Sequence, residues 1–139
     1  MSKKVIALCA VFSLVSPSTL FAGSWSAATA KWVEVRTETV GAVIYTHYID
    51  ANSIQSRGNY KDVWEKKIEN VTDPNKVAVT VGRWRYDCKS PRDMMLYFED
   101  YLKTGALVSS EGIPESQRTW DPIMPKSTAE AIQKFACSH

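Results

Sequence analysis

From Lys31 onward the order of polar and apolar side chains predicts strands. Trp32-Val33-Glu34-Val35-Arg36 largely alternates, and residues 42–49 are rich in β-branched and aromatic side chains, so both segments read as strands. Asp50-Ala51-Asn52-Ser53 and then Arg57-Gly58-Asn59 supply turn residues between the second strand and a third. That third strand, over residues 60–71, carries Tyr60, Trp64 and Ile68 at even positions and Lys61, Glu65, Lys67 and Glu69 at odd ones, the pattern of a half-buried strand. A turn at residues 72–76 leads into a fourth strand over residues 77–88, whose even positions hold Trp84, Tyr86 and Cys88. The hairpin must keep even positions opposite even ones so that the aromatic sets share a face, which sets Trp64 opposite Trp84 and Tyr60 opposite Cys88. The outer face then pairs Glu65 with Arg83 and Lys61 with Asp87.

Residues 94–102 read as a further strand. Met, Leu and Glu also suit a helix there, but the aromatic content and the following Gly105 favour extended chain. Residues 106–108 form a short last strand, residues 109–119 a polar, mobile loop containing Gly112 and Pro114, and Pro122 and Pro125 keep the next stretch extended. Ser127-Thr128-Ala129-Glu130 has the spacing of a capping box, which predicts a helix over residues 128–137 with Ala129, Ile132, Phe135 and Ala136 as one apolar stripe. Ten residues are marginal as a free helix in water. The helix must therefore lie on the sheet, covering the side from which Cys88 projects. The fold class is α+β, an antiparallel sheet of about six strands with one C-terminal helix.

Upstream, Lys3 and Lys4 precede an uncharged apolar run over residues 5–15, Pro17 breaks it, and Leu20-Phe21-Ala22 offers a cut site. The run is too short to span a bilayer. The layout predicts a signal peptide over residues 1–22, a flexible leader over 23–30 and a single domain over 31–139. An uncleaved anchor needs a longer apolar run, and a lipoprotein cysteine at Cys9 needs more apolar sequence before it. Cleavage takes two lysines from the 17 basic residues and nothing from the 15 acidic ones, leaving 15 of each. The mature formal charge is zero, so composition offers no electrostatic argument for nucleic acid. Cys88 and Cys137 remain as an even pair in an exported chain, which predicts a disulfide, with two free buried thiols as the alternative. Neither His47 nor His139 stands at metal-ligand spacing from them, and no metal or cofactor is expected.

The same residues carry little that resembles catalysis. His47 sits mid-strand and reads as a satisfied strand histidine before it reads as a general base. Asp50 reads as a strand-ending turn residue, and Glu99 and Asp100 point to opposite faces of a strand. No nucleophile elbow, phosphate loop or HExxH spacing is present. Lys66, Lys67, Arg83 and Arg85 offer a basic, ligand-facing patch, but they read first as a solvated face already neutralised by Glu65 and Glu69. Val77, Val79 and Val81 are less ordinary. They share the outer face with Arg83 and Arg85, and an apolar stripe there points to a homodimer or partner surface, or to cover by the leader.

Taken in order, several pieces resemble the surface-adhesin protein E family of Gram-negative bacteria. They are Tyr48-Ile49-Asp50 with Ser53-Ile54, Val63-Trp64, Tyr86-Asp87-Cys88, Tyr101 with Gly105, and residues 120–127 leading to the helix and Cys137. The resemblance implies a six-stranded antiparallel sheet whose C-terminal helix is tethered to the concave side by the Cys88–Cys137 disulfide. It also implies adhesion to host epithelium and matrix proteins, often as a homodimer. Some members are lipid-anchored, and this chain lacks a lipobox cysteine at its cut site. The sequence thus points to an exported, non-enzymatic binding protein of the periplasm, cell surface or secreted fraction, whose partner is a host matrix or cell-surface protein. A periplasmic accessory protein binding another envelope component is the alternative, and a small hydrolase using His47 the remaining one.

Overall fold

A computed structural model describes residues 29–139, so the expected signal peptide and nearly all of the leader lie outside the described residues. Strands β1 (Trp32–Val40) and β2 (Val43–Asp50) form a hairpin closed at Gly41, whose φ of 63° suits a residue without a Cβ. Asp50 ends β2 as expected of a turn residue, its carboxylate accepting from the backbone N–H groups of Asn52 at 3.0 Å and Lys31 at 2.8 Å. A 3-10 turn at Ala51–Ser53 leads to β3 (Gln55–Arg57), β4 (Tyr60–Glu69), β5 (Val77–Asp87), β6 (Arg92–Leu102) and β7 (Leu107–Gly112). A two-residue β8 (Asp121–Pro122) precedes α1 (Thr128–Cys137).

The main path of the sheet is β1-β2-β4-β5-β6-β7, antiparallel throughout, with β3 added to β4 and β8 to β6. The sheet curls into a half-barrel, α1 lies across one face, and Cys88 is bonded to Cys137. These are the antiparallel sheet, terminal helix and covalent tether that the sequence led us to expect. Residues 94–102 are strand, as the aromatic content argued. The segment 109–119 differs from the expected loop, because β7 runs to Gly112 and pairs with β6. An edge strand exposed along its length needs no apolar alternation, and Ser109 Oγ donates to Asp100 across the ladder.

The β4–β5 register also differs from expectation. Val63 lies opposite Trp84, Trp64 opposite Arg83, Glu65 opposite Gly82, Lys61 opposite Tyr86 and Tyr60 opposite Asp87. This is one residue away from the expected pairing, so Trp64 and Trp84 point to opposite faces. The physical reason is that both faces of β4 are covered: Val63 is 0% and Trp64 7% exposed. Val63 faces α1 and Trp64 faces away from it, which leaves no single apolar face for alternation to identify.

On the helix side, Ile49, Val63, Tyr86, Ile123, Ile132 and Ala136 form the core, with Val33, Val35, Trp84, Ala129 and Phe135 packed around it. Trp84 lies so close over Gly82 that a Cβ there would meet its indole at 2.8 Å. Ser127 caps α1 by accepting from the Glu130 N–H at 3.2 Å, while Glu130 accepts from the N–H of Lys126 rather than that of Ser127. The reciprocal arm of the capping box is thus displaced by one residue. Arg36 donates to the Lys126 carbonyl at 2.7 Å and Thr128 to Glu38 at 3.3 Å, fixing the start of the helix to β1. From the middle of the helix, Gln133 donates to the carbonyls of Asp87 and Ser90 at 2.6 and 2.9 Å.

One titratable pair is built into this layer. Tyr86 donates its hydroxyl to Glu65, and burial, with Asp93 nearby, pushes the Glu65 carboxyl up to about 8. Burial and the charge of Asp121 raise Asp93 to about 6.

Replacing Cys137 by serine is expected to lower the unfolding free energy by about 4 kcal/mol, the chain-entropy contribution of a loop this long. Urea unfolding of the two proteins measures it, and a loss below about 1 kcal/mol would contradict that account. Glu65 makes a second expectation. Its folded value lies above the ordinary 4.5, so between the two the folded state holds a proton that the unfolded state has released, and stability falls as pH rises through this window. His47 is held below its usual 6.5 mainly by burial, and it acts in the opposite direction at pH below that value. The thermal midpoint should therefore fall between pH 6.5 and about 8 in the native protein and stay level over that range in Glu65→Gln.

Candidate partner-binding face

The face of the sheet opposite α1 is set by the even positions of β4 and the odd positions of β5, which the register brings together. At one end, Asp62 is only 1% exposed and is met by three arginines. Arg85 grips it with two hydrogen bonds, Nε to Oδ1 at 2.7 Å and a terminal nitrogen to Oδ2 at 2.9 Å. Arg57 donates to Oδ2 at 2.8 Å, and Arg83 stands 3.6 Å from the same oxygen. Burial alone would raise this carboxyl, but the Arg85 hydrogen bonds and the surrounding charge hold it below the usual carboxylate range. One carboxylate facing three guanidiniums leaves two positive charges in excess.

Aromatic rings border this cationic group. Tyr60 packs on Trp120 with ring centroids 5.1 Å apart, Arg92 lies 4.6 Å over the Trp120 ring, and Arg85 lies 6.0 Å from that of Tyr60. Arg, Trp and Tyr are the side chains that most often anchor protein interfaces. Beside them Trp64 packs edge-on against Tyr97 at 5.7 Å. Among the candidate residues, Arg83 and Arg85 thus stand on the expected face and are partly exposed. Val77 and Val79 are half-buried there, and Val81 is 2% exposed, which removes it from the surface the stripe was expected to offer.

The wider basic patch separates. Lys66 and Lys67 point to opposite faces, Lys67 pairs with Glu69 at 3.0 Å, and Glu65 neutralises neither arginine because it faces α1. Asp62 and Arg57 were missed by the sequence reading. A mid-strand aspartate beside alternating arginines on the neighbouring strand was the available signal, and only the correct register makes it readable. His47 is half-buried on the helix side, its Nε2 3.3 Å from Glu38, an oxygen cluster shared with Thr128 and Arg36 that ties β1, β2 and the helix start together. Glu99 accepts from Tyr97 and Tyr101, while Asp100 accepts from Thr80 and Ser109, so the two acids serve opposite faces as expected.

No helix among the described residues is long and apolar enough to cross a membrane. No curated protein matches the sequence. The family model for surface-adhesin protein E matches residues 32–138, from the start of β1 to the residue after α1. The chain belongs to the surface-adhesin protein E family.

Proposed function

We propose that this chain is an exported, non-enzymatic, adhesin-like protein that holds a host extracellular-matrix or cell-surface protein on the sheet face opposite α1. Family membership supports the adhesin-like part of this reading. The observation that carries the choice of face is the group of three arginines on buried Asp62, bordered by Tyr60 and Trp120. Asp62 holds the guanidiniums in place, their spare charge faces outward, and the neighbouring rings offer apolar contact. An acidic segment of a folded partner matches that chemistry.

A second reading rests on β7, whose six residues are all exposed. An edge strand this open is a template for strand addition. Another envelope component docked there would make the protein a periplasmic accessory factor, and a second copy would make a homodimer. Fractionation of cells separates the readings, since confinement to the periplasm is incompatible with host adhesion.

The mature protein is expected to bind at least one of a panel of purified matrix proteins saturably, in surface plasmon resonance, with affinity falling as salt is raised. The double variant Arg57→Ser with Arg83→Ser keeps the bidentate Arg85–Asp62 pair and removes the excess charge. It should bind roughly tenfold more weakly, the loss of about 1.4 kcal/mol, with little change in thermal midpoint. Absence of binding to the whole panel at micromolar concentration, or unchanged affinity in the double variant, would count against this face.

A further inference from the structure

A groove of about 400 Å³ lies on the same face at the other end of the sheet, lined by Trp32, Lys66, Val79, Val81, Tyr101 and Leu102, with Lys103 at its rim. Lys66 is its distinctive member. Its ammonium lies 4.4 Å from the centre of the Trp32 ring and 4.9 Å from that of Tyr48, and among the described residues it donates no hydrogen bond and meets no carboxylate. The acids on this face are otherwise engaged: Glu99 accepts from two tyrosine hydroxyls, and Glu34 accepts from Thr37. A partly buried lysine usually sits beside a carboxylate, and here two aromatic faces take that place. Burial accordingly depresses its pKa. The rings hold the cation on one side, and Val79, Tyr101 and Leu102 line the groove with it.

We infer that this groove is a binding site for a small amphipathic carboxylate of the medium-chain fatty-acid class, its head group on Lys66 and its chain along Val79, Tyr101 and Leu102. A cation at an apolar wall selects a ligand with one anionic end and an apolar body. The volume lies toward the lower end of small-ligand sites, which favours a medium chain over a long one. The chemistry is independent of the arginine group at Asp62, so this inference does not rest on the proposed adhesion and can fail without it.

Isothermal titration of the full chain with dodecanoate, below its micelle concentration, tests the site. The expected result is saturable one-to-one binding, weakened roughly tenfold by each two-carbon shortening of the chain. Dodecanol and dodecyltrimethylammonium, which share the chain and lack the anion, should bind at least tenfold more weakly, a comparison that needs no variant. Lys66→Met keeps an unbranched apolar stem and removes the charge, and it should lower dodecanoate affinity by the same factor. Absence of saturable binding overturns the inference, as does equal affinity for the alcohol or undiminished affinity in the folded Lys66→Met protein.

Discussion

The bond between Cys88 and Cys137 decides whether the helix side of the sheet is a core or a surface. Ten residues do not hold a helix in water by themselves, and α1 has only Ile132 and Ala136 fully buried. Bonded to Cys88, just beyond the end of β5, the helix cannot leave, and its small apolar stripe is enough to seal Ile49, Val63 and Tyr86. Once that side is dry, the carboxyl of Glu65 holds its proton more tightly and Trp84 closes over Gly82. The interior chemistry of the domain follows from one covalent tie between the sheet and a helix too short to stand alone.

The opposite face is built on different terms. It has no helix to cover it, and it covers itself with large side chains: Trp64 against Tyr97, Tyr60 against Trp120, and Lys66 against Trp32 and Tyr48. This explains why Val81 is buried on a side with no second layer of backbone. Such a face is apolar in depth and cationic at its surface. That combination suits recognition better than catalysis, and the family to which the chain belongs is one of adhesins.

Much of this was legible in the residues, and what was not has a common cause. The strands β1, β2, β5 and β6, the capped helix and the cysteine pair all follow from local pattern, because β-branched runs, Ser127 with Glu130, and an even cysteine count each act over a few residues. The β4–β5 register did not. Val63 and Trp64 are neighbours and both buried, so the aromatic at the even position suggested the wrong inner face. The error moved Glu65 outward and hid the meeting of Asp62 with Arg83 and Arg85. Strand β7 was expected to end at residue 108, four residues short of Gly112, for the converse reason, since an edge exposed on both sides gives no alternation to read. Lys66 looked like one more solvated lysine until the fold placed two rings beside it.

Gln133 gives the tether a property that the sulfurs alone would not have. Its amide nitrogen spans the carbonyls of Asp87 and Ser90 on either side of Cys88, on the turn that follows β5. If a reductant opens the bond, this clamp and the buried stripe slow the departure of the helix, so the two thiols stay close at high effective concentration until it leaves the sheet. Reoxidation in that interval is intramolecular and favours the original pair over mixed disulfides with other thiols.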